Sequence, residues 1–399
     1  MGEVKPGIDT FAKIKVIGIG GGGGSAVNRM VRAKLHGVDF IAANTDLQAL
    51  THNLAPVKVH LGKTTTRGLG AGMDPEVGRK AAEESENEIR DVLKGADMVF
   101  VTCGLGGGTG SGAGPLIAET ARELGCLTIG VVTKPFGFEG AQRRAIADQA
   151  HEELREHVDA LITIPNDRIL SIIDQKTSLL DAFDIVDDIL KQGVRGIAEL
   201  ITTPGFINVD FADVKAIMKN AGSALMGIGV ASGENRATEA AKAAVSSPLL
   251  EISIDGARGI LFTIIGGPKM TMHEVSEAAK IITGSADPNA KIIWGTVIDE
   301  TAKDDIRITV IATGFDASYG GSMMAANEGA YIEKSANYRP PKYFGKISDI
   351  VGKVTKDEAA PKRPTDQKAV RTVERAAAEV ATESTDDLEI PAFIRRKLG

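Results

Sequence analysis

Two glycine runs, each directly behind a short β-branched stretch, constrain this chain more than any other feature. Residues 14–19 run into Gly20, Gly21, Gly22, Gly23 and Gly24, and residues 97–103 run into a second glycine-rich segment at 104–114. Glycine inside a helix or strand costs roughly 0.5–1 kcal/mol relative to alanine, so such clusters serve backbone geometry that side chains would forbid. Helical patterns at 26–34 and 116–124 complete the grammar of strand, glycine loop and helix twice over. A loop of this kind exposes backbone N–H groups without Cβ obstruction. The helix N-terminus behind it adds a partial positive charge, worth roughly 0.3–1 kcal/mol toward an anion. Two such loops on neighbouring strands predict a polyphosphate ligand.

The remaining pattern sets the architecture. Strand candidates at 40–43, 127–133 and 160–164 alternate with helical stretches at 75–94 and 142–157, which predicts a doubly wound, mostly parallel α/β sheet with its ligand at the carboxyl ends of the strands. Apolar residues at spacings of three and four across 178–202 predict one long helix. Beyond it, strands near 224–230, 259–265, 291–298 and 306–313 and helices near 234–245 and 272–282 predict a smaller α+β unit. Residues 353–387 hold no Leu, Ile, Met or aromatic side chain and cannot offset the entropy of ordering. Leu388, Ile390, Phe393, Ile394 and Leu398 then return beside Arg395, Arg396 and Lys397. The expected organisation is a flexible N-terminus (1–12), a nucleotide-binding domain (13–177), a central helix (178–203), an α+β domain (204–316), a disordered linker (317–384) and a docking peptide (385–399).

Composition narrows the partners. Lys and Arg total 46 against 53 Asp and Glu, a formal charge of −7, so no global positive field favours nucleic acid or an anionic membrane. Two cysteines suit a reducing compartment, and the cytoplasm is the expected location. No run approaches the roughly 18 apolar residues of a membrane span, and the first ten residues lack a secretory pattern. The common NTPase loop is absent, because Val57 stands where the glycine before Gly62, Lys63 and Thr64 is required. Gly18, Gly20 and Gly23 with Asp39 permit a dinucleotide reading, but that leaves the second glycine loop unused. The six histidines show no metal spacing, and Cys103 at a strand end reads as a small buried hydrophobe.

The second loop, Gly106-Gly107-Gly108-Thr109-Gly110-Ser111-Gly112, resembles the signature loop of the tubulin/FtsZ family. Agreement continues in family order through Gly20–Gly24, Asn44-Thr45-Asp46, Gly70-Ala71-Gly72, Thr133-Lys134-Pro135-Phe136, Ile164-Pro165-Asn166-Asp167, residues 208–213 and Ile390-Pro391-Ala392-Phe393. It spans about residues 13–315 and the last dozen, and the tail favours the bacterial cell-division branch over plasmid and archaeal relatives. Ser25 departs from the asparagine frequent there.

The resemblance implies a GTP/GDP site. Gly20, Gly21, Gly22, Gly23, Gly24, Ser25, Asn44, Ala71, Gly72, Gly104, Gly106, Gly107, Gly108, Thr109, Gly110, Thr133 and Pro135 would surround phosphate and sugar, with Mg²⁺ held mainly through phosphate oxygens. It places Glu139 and Arg143 at ribose and phosphate, although their i,i+4 spacing also suits a surface ion pair. Asp187 would face guanine, accepting from N1–H and the exocyclic amine, and Asn166 and Phe183 either contact the base or are structural. Thr109 is expected to cap the following helix as well as face phosphate. Asp210 and Asp213 have the spacing of a helix N-cap and its first turn. The family adds a second role with Asn208, in which the next subunit supplies these residues in trans to complete the hydrolytic site of a head-to-tail filament. The implied function is a polymerising GTPase of the cytokinetic ring at midcell. Residues 388–399 would dock the membrane anchor FtsA and other division proteins, without nucleic-acid binding or membrane insertion. A non-catalytic filament protein of the same fold is the competing reading, and retention of Asn208, Asp210 and Asp213 speaks against it.

Overall fold

The structure is a computed structural model describing residues 12–315 except 171–172, 174–175, 203–206, 208, 248–249, 251–253, 300–301 and 303. The linker and docking peptide expected beyond 316, most of the N-terminus and Asn208 lie outside the described residues. The strands are β1 (Ile14–Ile19), β2 (Val38–Asn44), β3 (Val57–His60), β4 (Met98–Gly104), β5 (Leu127–Lys134), β6 (Ala160–Pro165), β7 (Gly222–Ser232), β8 (Gly259–Gly266), β9 (Lys291–Ile298) and β10 (Asp305–Thr313). The helices are α1 (Gly20–Arg32), α2 (Leu47–Thr51), α3 (Pro75–Glu84), α4 (Glu86–Leu93), α5 (Gly108–Glu123), α6 (Ala141–His157), α7 (Asn166–Leu170), α8 (Leu179–Thr202), α9 (Phe211–Met218), α10 (Arg236–Val245) and α11 (Met272–Thr283).

Period-2 alternation sorts the apolar side chains onto two faces. Ile14 and Val16 of β1, Met98 and Phe100 of β4 and Ile129 and Val131 of β5 join α1 and α8 in one core, whereas Ile17, Ile19, Val99, Val101 and Val132 join α3, α4, α5 and α6 in another. Helices therefore cover both faces, as expected of parallel β strands buried on each side. The order β3-β2-β1-β4-β5-β6 reverses direction at β1 and β4. Their following helices, α1 and α5, leave to opposite faces, and this opens the crevice in which doubly wound sheets bind ligands.

The second half adds to the same sheet. β7 pairs in parallel with β6 from Ala160↔Gly222 to Ile162↔Ala224, and β10, β8 and β9 continue the order to one ten-stranded sheet among the described residues. In β10, Ile306, Ile308, Val310 and Ala312 face a third core with α10 and α11, while Ile311 faces α8. The side chains of Val186, Ile189, Leu190, Val194 and Ile197 on α8 are buried in the core that both halves share. Burial of each contributes roughly 1.5–3 kcal/mol.

Two expectations need amendment. The helices begin inside the glycine runs, at Gly20 and Gly108, rather than at 26 and 116. The stretch 75–94 is two helices broken at Ser85, whose hydroxyl accepts a 3.0 Å hydrogen bond from Gly62 N. The short elements α2, β3 and α7 carry too few residues for a periodicity to register.

A continuous sheet with a shared core should unfold as one unit. Ile17→Ala in the first half and Ile264→Ala in the second, both fully buried, should each cost about 2–5 kcal/mol and lower the same calorimetric transition. Separate transitions shifted independently would show that α8 and the β6–β7 pair do not couple the halves.

Candidate nucleotide-binding site

The two glycine runs meet at the carboxyl ends of β1 and β4. A Cβ at Gly20 would lie 3.3 Å from Gly110 N, and one at Gly22 would lie 3.4 Å from Gly104 Cα. Gly23 packs so tightly that a Cβ there would stand 2.3 Å from Thr102 O. Glycine thus lets α1 start directly on the sheet. Neither α1 nor α5 has a side-chain cap or an acidic residue in its first turn, whereas Asp46, Asp74, Asp210 and Thr271 cap α2, α3, α9 and α11. Without side-chain caps, the first N–H groups of both helices are left for a ligand or water, and the two N-termini are adjacent, Gly20 lying against Thr109 and Gly110. A cleft of about 160 Å³ opens beside the first glycine run, between α1 and the β2–α2 segment, lined by Gly20, Gly21, Ser25, Asn28, Asn44 and Asn53 among others.

Thr109 does not cap α5, contrary to expectation; Gly107 occupies the cap position. The Thr109 hydroxyl instead shares a 2.7 Å hydrogen bond with the hydroxyl of Thr45, a fully buried residue. Ala71 lies beside Gly108, its Cβ 2.9 Å from where a Cβ on Gly108 would be, and Gly72 turns with φ of +59°. Across the loop, Thr133 Oγ1 is 3.6 Å from the position of a Cβ on Gly104. Pro135 and the backbone of Arg143 are similarly close to Gly106.

The remaining expected site residues lie on the segment after β5 and on β6, α7 and α8, with α8 joined to α1 by the Arg29–Asp184 ion pair. Asn166 follows β6 directly, is buried, and leaves its Oδ1 without a hydrogen-bond partner. Such an acceptor is costly unless a ligand or water satisfies it. Phe183 is half-exposed and meets Phe136 edge-on at 5.7 Å. Glu139 pairs with Arg143, as their i,i+4 spacing suggests, and accepts from Phe136 N at 2.9 Å. One turn beyond Phe183, burial pushes the Asp187 carboxyl up to about 6 against the pull of Arg29, with Asp184 and Asp188 adding to the rise. Arg29, ion-paired to Asp184, joins α1 to α8 at this point. Neither Arg29 nor Thr45 was legible as a site residue, because their roles depend on contacts between distant elements.

The acidic pair lies elsewhere. Asp210 caps α9, its Oδ1 accepting from Asp213 N at 2.8 Å, and both residues are exposed. The far end of α9 is fastened to the amino-terminal edge of the sheet, where Asn220 N donates to Asp159 Oδ1 and Lys215 and Lys219 border a pocket with Leu127, the first residue of β5. The glycine loops sit at the opposite edge, across strands spanning roughly 20 Å. Cys103 is a buried hydrophobe whose thiol burial pushes up to about 12. Among the described residues no group of three or more His, Cys, Asp or Glu side chains is placed to hold a metal, and no helix is long and apolar enough to cross a membrane.

Residues 13–174 match the family model described as the tubulin/FtsZ family GTPase domain, and residues 222–316 match the FtsZ family C-terminal domain. An empty FtsZ dimer from M. jannaschii is 45% identical over 76% of this chain and 89% of its own, with a TM-score of 0.74. A single-residue mutant of the M. jannaschii protein aligns at 44% identity over 76% and 92% with the same score. CetZ1 from Haloferax volcanii, a GDP-bound monomer, is 22% identical over 76% and 95% with a TM-score of 0.67, a likeness of fold. Fold and site together define a nucleotide-binding α/β protein carrying a GTPase domain. The chain belongs to the tubulin/FtsZ family.

Asp187 makes a stability prediction of its own. Its folded pKa is raised, so its contribution to stability is complete below the ordinary carboxylate range and is lost as pH rises through about 6. Asp187→Asn should therefore stabilise the nucleotide-free protein at pH 7–8 by about 1–3 kcal/mol. In melting curves that gain should vanish by pH 4, and a gain independent of pH would contradict the burial of an ionisable group.

Proposed function

We propose that this protein binds GTP in the crevice between β1 and β4, assembles head to tail, and hydrolyses GTP to GDP and phosphate with Asp210 and Asp213 supplied by the next subunit. The observation carrying this reading is the separation of the site into two parts. Uncapped helix N-termini suited to phosphate stand at the carboxyl ends of β1 and β4, whereas the exposed carboxylate pair starts α9, a separate helix whose other end is fastened at the amino-terminal edge of the sheet. A chain that cannot bring its own acids to its own phosphates needs a second copy, and a heterologous contact that does not close on itself propagates a filament. Support comes from the M. jannaschii dimer and from CetZ2 of Haloferax volcanii, described as a GTPγS-bound protofilament.

Each part has a stated task. The N–H groups of α1 and α5 hold phosphate oxygens, Ala71 and Gly72 receive the γ-phosphate, and Asp187 accepts from the two donors on guanine that adenine lacks. Mg²⁺ is held mainly through the phosphates and screens their charge. The trans carboxylates, with Asn208, orient the attacking water. We further assign the filament to the cytokinetic ring of a bacterial cytoplasm, tethered through residues 388–399 to FtsA or other division proteins. The matched FtsZ structures are archaeal, so the bacterial assignment rests on the tail sequence alone.

GTP but not ATP should produce sedimentable polymer, and equal assembly with both would sink the base assignment. Asp213→Ala should bind GTP as wild type does while its turnover falls at least about tenfold, a loss of transition-state stabilisation above 1.4 kcal/mol. Mixing it with Gly108→Ser should partly restore turnover, since one interface then joins a sound pocket to a sound acidic pair. Loss of monomer binding in Asp213→Ala would refute the division of labour.

A further inference from the structure

Glu84 is the last residue of α3, where the helix dipole disfavours a carboxylate. Its hydrogen bonds go to the loop before α3 instead. Oε1 accepts from Thr64 N at 2.8 Å, and Oε2 accepts from Thr65 N at 3.0 Å and from the Thr65 hydroxyl at 2.7 Å. The neighbouring Ser85 hydroxyl accepts from Gly62 N at 3.0 Å. These donors hold the carboxyl down to about 2, so the anchor stays ionised across the physiological range.

The same loop is gripped from its other side by Thr45. The Thr45 carbonyl accepts from the Thr66 hydroxyl and from Gly70 N, each at 3.2 Å, while its own hydroxyl bonds Thr109. Residues 62–70 are thus clamped between the end of α3 and the second glycine loop, and Ala71 and Gly72 follow directly. The helix bearing Glu84 is itself registered to that glycine loop, for a Cβ at Gly78 would stand 2.2 Å from Gly108 O. Anchor, loop and phosphate cradle therefore form one connected frame.

We propose that Glu84 is a positioning residue whose carboxylate holds the 62–72 loop where Ala71 and Gly72 meet a third phosphate, and so sets the preference for a nucleoside triphosphate over a diphosphate. This rests on the guanine-nucleotide reading above and extends it to a residue that touches no nucleotide. In that reading the α- and β-phosphates are held by α1 and α5, whereas the hydrogen bonds of Glu84 go to Thr64 and Thr65 of the 62–72 loop. Loss of the anchor therefore weakens the triphosphate selectively.

The test compares dissociation constants of GTPγS and GDP for the nucleotide-stripped full chain, by competition with a fluorescent GDP analogue. Glu84→Ala should lower the affinity ratio of GTPγS to GDP by about fivefold or more while leaving GDP binding within about twofold. Glu84→Gln, which keeps one acceptor oxygen, should fall between, and Thr65→Val, which loses one hydroxyl donor, should lie nearest wild type. An unchanged ratio in Glu84→Ala overturns the proposal. So does an equal loss for both nucleotides, with or without a lower melting temperature, because that outcome marks a purely structural contact. A wild-type protein that binds neither nucleotide overturns the guanine reading together with this one, whereas normal wild-type binding isolates the failure to Glu84.

Discussion

The parallel ladder between β1 and β4 is the constraint on which the rest depends. Six register pairs from Ile14↔Met98 to Ile19↔Cys103 hold the two strands side by side, and their helices depart to opposite faces. Had both helices covered one face, their N-termini would compete for space above it. Leaving in opposite directions, they bring two uncapped N-termini side by side, with Gly20 against Gly110. Glycine at the contact positions makes so close a meeting sterically possible, and the parallel sheet with both faces covered is its architectural consequence.

The environment drives two carboxylates of the site region in opposite directions. Glu84 lies among backbone and hydroxyl donors and is held down to about 2, while Asp187 lies in a pocket that withdraws it from water and is pushed up to about 6. One is a fixed anion that orders a loop. The other carries a cost when ionised, a state that two N–H donors from a base would relieve. Identical functional groups are thus moved apart, one by hydrogen-bond donors and the other by burial.

Much of this was legible in the sequence, for physical reasons. Short apolar runs bounded by turn residues mark strands, and nine of the ten described strands coincide with strand candidates in the sequence; β3, four residues long, does not. Asp210 with Asp213 three residues on read correctly as a helix start because an N-cap is a local interaction. The starts of α1 and α5 were misjudged because glycine has no side chain to carry a helical period. The break at Ser85 was invisible because Gly62, its cause, is distant in sequence. The joining of both halves into one sheet depends on pairing across the length of α8, which no local pattern encodes. Thr45 and Arg29 acquire their significance only from partners that folding brings near.

The seam between β6 and β7 has a mechanical meaning. It comprises three register pairs, against six in β1–β4, seven in β4–β5 and nine in β7–β10. A tensile load applied across the molecule from the glycine-loop edge to the α9 edge would be borne by the long ladders with little strain. At the narrow seam the same load is shared by few hydrogen bonds, with the packing of α8 as the parallel spring. Stiffness along the sheet is therefore uneven, and deformation under force concentrates where the two halves were joined.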